Sequence, residues 1–71
     1  MNLPITFSVK QARMYADKTQ AEMGTELGVS RETYISLENN PTRITYPQGK
    51  KISEVTGVPL DLIIFLPTNS T

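Results

Sequence analysis

The chain contains no cysteine, no histidine and no tryptophan among its 71 residues. Without cysteine there are no disulfide staples and no thiol nucleophile. Without histidine there is no imidazole base, no Cys/His zinc site and no His-containing triad. Carboxylate chemistry or an oxygen-ligand metal site would remain, but no motif clusters the acids, so neither an enzyme, a metal site nor a cofactor box is expected. There is also no excess of either charge: seven Lys and Arg balance seven Asp and Glu. A polybasic arm or strongly cationic groove is thereby ruled out. The longest apolar run, Leu62-Ile63-Ile64-Phe65-Leu66, is far too short to span a bilayer. Met1-Asn2-Leu3-Pro4 lacks the charged-then-apolar pattern of a signal peptide. A chain without membrane contact, working in the cytoplasm, is the expectation.

What is present fits a small helical domain. A hydrophobic fraction of 38% is enough for a core and too high for a disordered chain. The length allows one domain, residues 1–71, with its core over about residues 7–66 and a frayed tail at 67–71. Turn signals cut the chain into five helical segments. The first runs from Phe7 or Ser8 to Asp17, with Val9, Ala12, Tyr15 and Ala16 on one face. Thr19 and Glu22 form a capping-box pattern that opens the second, which reads to Leu27. Gly28 ends it, and Ser30 caps a third that carries Tyr34 and Leu37 and breaks at Asn39-Asn40-Pro41. Pro47 suits the first position of a fourth helix, which has Ile52 and Val55 on its inner face and Gly57 at its end. Asp61 to Leu66 reads as a short fifth helix stopped by Pro67. Nothing alternates with period two for long enough to demand a sheet. The expected class is all-α, a compact five-helix bundle.

The second and third helices, joined by Gly28-Val29, have helix-turn-helix spacing. Met23, Leu27, Tyr34 and Leu37 would fix the angle between them. The run Thr19-Gln20-Ala21-Glu22-Met23-Gly24-Thr25-Glu26-Leu27-Gly28-Val29-Ser30-Arg31-Glu32-Thr33-Tyr34-Ile35-Ser36-Leu37-Glu38 resembles the Cro/C1-type (XRE) helix-turn-helix family. Arg13 and Gly57-Val58 match it on either side. The resemblance implies a lambda-repressor-like DNA-binding domain whose third helix enters the major groove. It also implies a structural ion pair between Arg13 and Glu38. Carried over by position, Gln20 would bond a phosphate, Arg31, Glu32 and Ser36 would face base edges with Thr33 close by, and Asn39 and Arg43 would touch the backbone. Arginine suits guanine, and Gln20, Ser30, Thr33 and Asn39 can donate to phosphate oxygens. These residues are equally at home as caps or surface polar groups, and Ser30 caps its helix on either reading.

The charge distribution departs from that pattern. Residues 19–38 hold Arg31 against Glu22, Glu26, Glu32 and Glu38, a net of −3 in the segment meant to meet phosphates. Residues 1–18 carry +2 and residues 39–71 carry +1. Weak binding to DNA alone follows, because phosphate neutralisation dominates non-specific affinity. Gly24 replaces the family's usual alanine inside the second helix, at about 1 kcal/mol of helix propensity. Ile35 stands where small polar residues are common. With Tyr34, Glu32 and Arg31, it gives the third helix a surface suited to docking a protein. With its small size and near-neutral charge, that pattern resembles the short regulators of temperate-phage lysis–lysogeny switches, and the opening Met1-Asn2-Leu3-Pro4-Ile5-Thr6-Phe7 and the ending resemble the modulator-of-repression or antirepressor type among them. This resemblance implies a phage-encoded protein in a bacterial host whose partner is a CI-type repressor, with double-stranded operator DNA bound weakly or cooperatively. The alternative is a Cro-like operator binder acting as a homodimer through Leu62, Ile63, Phe65 and Leu66, residues that serve equally well to close the core. An antitoxin is a further alternative, disfavoured because the long toxin-wrapping segment is missing.

Overall fold

The structure, a computed structural model, describes residues 5–67. Of the tail expected to fray, residues 67–71, all but Pro67 lie outside the described residues. A two-residue strand β1 (Phe7–Ser8) leads into α1 (Val9–Tyr15), α2 (Gln20–Leu27), α3 (Arg31–Asn39) and α4 (Tyr46–Thr56). Single 3-10 turns occupy Pro41–Arg43 and Leu60–Leu62, and a second strand β2 (Ile63–Ile64) follows. The two strands pair in parallel, Phe7 with Ile63 and Ser8 with Ile64.

Each of the four helices starts on a hydroxyl cap. Ser8 Oγ accepts from the Gln11 amide at 3.0 Å while Gln11 Oε1 accepts from the Ser8 amide at 2.8 Å. Thr19 and Glu22 make the same reciprocal pair, as do Thr45 and Gln48. Ser30 Oγ takes the Thr33 amide at 3.0 Å, with no reciprocal acid or amide. These bonds satisfy donors that a helix start would otherwise leave unpaired. Thr45 caps α4, so Tyr46 holds its first position and Pro47 its second, one residue later than the sequence suggested.

The core collects one or two residues from every helix: Val9, Ala12, Met23, Tyr34 and Ile52, with Val58 and Ile63 from the C-terminal segment. Phe7, Leu27, Val29, Val55, Leu62 and Phe65 pack against it half-buried. Tyr15 was expected on the inner face of α1 but is 69% exposed. Its ring instead meets Phe7 edge-on, with centroids 5.6 Å apart. α1 also ends at Tyr15, short of Asp17, because the chain reverses through Asp17 at φ 58°.

The expected fifth helix is absent, which corrects the helix count; the fold is mostly helical, with one minor two-residue strand pair beside its four helices. Pro59 precedes a single 3-10 turn, after which Ile63 is extended at φ −95°, ψ 130°. A six-residue segment forms few intrahelical bonds for the cost of nucleation, and β-branched Ile63-Ile64 favours extended backbone. Pairing with Phe7–Ser8 then satisfies its backbone while placing Ile63 in the core, 6% exposed. Ile63, Leu62 and Phe65 thus close the core, and only Leu66, 65% exposed, is left of the suggested dimer seam.

Candidate nucleic-acid interface

α2 and α3 are locked together by the turn between them. Gly28 adopts the left-handed conformation at φ 73°, its amide bonding Thr25 O at 3.1 Å, and the Val29 amide bonds Gly24 O at 2.8 Å. This double return is a Schellman motif, which ends α2 and starts Ser30 as the cap of α3 within two residues. Gly24 lies beneath that turn. A Cβ built there would sit 3.0 Å from Val29 O and 3.1 Å from Ser30 O. The glycine that breaks the family's alanine preference is the residue that lets the two helices approach.

Beyond the turn, α3 presents Glu32, Ser36 and Asn39 at i, i+4 and i+7, the centre of its solvent-facing side, and all three are exposed. Arg31 and Thr33 flank this ridge and are exposed, as are Ser30 at the cap and Arg43 in the following 3-10 turn. Ser30 is engaged with the Thr33 amide and with Thr33 Oγ1 at 3.0 Å. Arg31, Glu32, Ser36 and Asn39 are thus the helix side chains whose polar ends face outward together.

Tyr34 and Ile35 were expected to supply apolar anchors on the same surface. Tyr34 is 0% exposed and Ile35 half-buried, so α3 shows no large exposed apolar side chain. Tyr34 belongs to the core because it lies one turn before Glu38 on the inner side of the helix, where its hydroxyl donates to Glu38 Oε2 at 2.7 Å.

Glu38 is the centre of a four-residue node. Arg13 Nε donates to Oε2 at 2.8 Å and Arg13 Nη2 to Oε1 at 3.3 Å, while Gln20 Nε2 donates to Oε1 at 3.1 Å. Arg13 Nη1 also donates to the Lys18 carbonyl at 3.0 Å, fixing the α1–α2 turn. Burial pushes the Glu38 carboxyl up, but the bonds from Arg13, Tyr34 and Gln20 outweigh it and hold the group below the ordinary carboxylate range. Glu38 in turn raises Arg13, chiefly through their hydrogen bond. Burial, reinforced by Glu38, raises the Tyr34 hydroxyl. Gln20 is therefore only partly available to a phosphate: one amide hydrogen is committed to Glu38, and the other hydrogen and the oxygen have no side-chain or backbone partner among the described residues.

The engagement of Tyr34 and Gln20 with Glu38 was not read from the sequence. The i, i+4 spacing of Tyr34 and Glu38 was a signal for the first; nothing local signals the second, which joins helices 18 residues apart. Among the described residues there is no group of three or more acids, His or Cys that could hold a metal, and no helix long and apolar enough to cross a membrane.

The arrangement is a capped two-helix unit, braced from behind by an ion pair, with a polar ridge turned outward. A helix-turn-helix family model matches residues 9–63, from the first residue of α1 to the start of β2. No curated protein and no solved structure gives a significant match. With most of its length inside that match, the chain belongs to the Cro/C1-type helix-turn-helix family of DNA-binding transcription regulators.

Proposed function

We propose that this protein regulates transcription in a temperate-phage lysis–lysogeny switch, binding operator DNA weakly by itself and acting together with a CI-type repressor as its protein partner. The observation that carries this reading is electrostatic. With Glu38 paired to Arg13, the exposed charges of the helix-turn-helix are Glu22, Glu26 and Glu32 against Arg31 alone. Glu32 stands in the middle of the ridge that would face the bases. It can accept from cytosine N4, but it opposes the phosphate attraction on which affinity rests. A protein partner that binds DNA itself supplies what this surface lacks. The phage setting rests on the likeness in size, charge and sequence to small switch regulators.

The test is a titration with a duplex covering the protein's own promoter region, at low and at physiological salt, with and without the neighbouring repressor. Little binding alone, with loss or supershift of the repressor's complex, is the expected result. Tight binding alone would overturn it.

A second reading, a Cro-like dimeric operator binder, is favoured by the absence of a large exposed apolar group on α3. Arg31, Ser36 and Asn39 are hydrogen-bonding groups suited to bases and phosphates. Dimerisation would set two α3 helices about one DNA turn apart. Sedimentation of the free protein separates the two, since a monomer at micromolar concentration counts against the Cro-like form.

A further inference from the structure

We infer that Glu38 is a positioning residue for DNA binding: by holding one amide hydrogen of Gln20, it turns the other outward to a backbone phosphate. This rests on the reading that the helix-turn-helix meets DNA. It gives the Arg13–Glu38 pair a part in binding beyond bracing the fold. Gln20 is the first residue of α2, the helix that crosses the DNA backbone in this motif. Phosphate contacts of this kind set the register of the reading helix on the duplex.

The Glu38 carboxylate is fully engaged. Its Oε2 accepts from Arg13 Nε at 2.8 Å and from the Tyr34 hydroxyl at 2.7 Å. Its Oε1 accepts from Arg13 Nη2 at 3.3 Å and from Gln20 Nε2 at 3.1 Å. A carboxylate offers about four acceptor sites, so each donor holds one and none is left open. The Glu38 side chain is 5% exposed and Gln20 is half-buried, so their bond runs from the interior to the edge of α2. The two hydrogens of a planar amide diverge. With one directed inward at Glu38, the other leads away from the interior, and it has no partner among the described residues.

The same ion pair fixes the backbone of Gln20. Arg13 Nη1 donates to the Lys18 carbonyl at 3.0 Å, and Thr19 then caps α2 by accepting from the Glu22 amide at 3.0 Å. Main chain and side chain are thus both held before DNA arrives. An unheld glutamine gives up its rotamer freedom on meeting a phosphate, and the bond to Glu38 removes that cost in advance. The contact is also a neutral hydrogen bond, which adds affinity without releasing a counterion. That suits a helix-turn-helix whose exposed charges are Glu22, Glu26 and Glu32 against Arg31.

The experiment titrates the full chain and three variants with a duplex covering the protein's own promoter region, over a range of salt starting low. Gln20→Ala should bind about tenfold more weakly with an unchanged salt slope, since no charge is lost. Glu38→Asp keeps the charge within reach of the long Arg13 side chain but withdraws the acceptor from Gln20. It should bind about fivefold more weakly, and the double variant no more weakly than Gln20→Ala alone. Losses that multiply in the double variant, as two merely structural effects would, overturn the inference, as does full affinity in either single variant. The side-chain amide spectrum of the wild-type chain decides independently, should Glu38→Asp fail to fold. On adding duplex, one Gln20 amide proton should shift while the proton bonded to Glu38 stays in place. Movement of neither proton, or release of the bonded one, overturns the proposal. The DNA reading fails separately, by an absence of any duplex-induced shift in the wild-type chain at low salt, which refutes both. Tight binding by the chain alone would refute only the dependence on a partner.

Discussion

Glu38 shows how one side chain couples stability to pH. Its side chain is 5% exposed, and it accepts hydrogen bonds from Arg13, Gln20 and Tyr34, so three helices meet on one carboxylate. Its folded pKa lies below the unfolded value, so its contribution is present above the ordinary carboxylate pKa and lost as pH falls through the folded one. The Tyr34 hydroxyl has the opposite sense. Its folded pKa is raised, so its contribution is complete below the ordinary tyrosine value of about 10 and lost as pH rises beyond it. Urea midpoints measured across the pH range should therefore form a plateau that drops below about pH 4 and again above about pH 10. Tyr34→Phe should lower the neutral plateau by about 1.5–3 kcal/mol and flatten the alkaline limb. An alkaline limb unchanged in that variant would show that other groups cause it. Arg13→Ala should cost about 3 kcal/mol, since it leaves a buried carboxylate without its cation. The pairing of Arg13 with Glu38 was legible only as a family likeness. The parts of Tyr34 and Gln20 in it were not, because they depend on how helices distant in sequence come together.

At the scale of elements, the ends of α1 and α2 are the same device built from different residues. At α1 the Lys18 amide returns to Arg13 O at 3.1 Å and the Asp17 amide to Met14 O at 3.0 Å, the bonding pattern that Gly28 and Val29 repeat after α2. The left-handed position is glycine at the second and Asp17 at the first. Asparagine tolerates that conformation and would remove a negative charge from a helix C-terminus. Asp17→Asn should therefore stabilise the protein by about 0.3–1 kcal/mol, read as a higher urea midpoint with an unchanged slope. Gly24→Ala tests the reverse balance. Alanine gains about 1 kcal/mol of helix propensity, yet its methyl would press on the backbone oxygens of Val29 and Ser30, which cannot move without shifting the cap of α3. A net loss of about 1–3 kcal/mol is expected, and a stabilised variant would refute the close approach of the two helices. Helix starts were the most legible features, because hydroxyl caps and their partners are local in sequence. The Asp61–Leu66 segment was not legible. Its apolar run suits a helix or a strand alike, and the choice was made by Phe7–Ser8, more than fifty residues away.

Across the whole molecule, zero net charge conceals a division that bears on how DNA is bound. The helix-turn-helix holds the exposed acids Glu22, Glu26 and Glu32 against Arg31, while the segment after it holds Arg43, Lys50 and Lys51 against Glu54 and Asp61. Of the residues proposed to meet DNA, Arg31 and Arg43 alone are cations. Each phosphate neutralised contributes about −0.9 to the slope of log affinity against log salt, so two arginines imply a slope near −2. Binding to a promoter duplex should therefore depend weakly on salt, falling only about sevenfold between about 50 and 150 mM. Glu32→Gln removes a carboxylate from the ridge without altering its shape, and should raise affinity several-fold at low salt and less at high salt. A wild-type slope steeper than about −5 would mean that Lys50, Lys51 and Lys10 also reach phosphates. Those lysines would then belong to the DNA surface, and the acidic helix-turn-helix would no longer call for a partner to complete its binding.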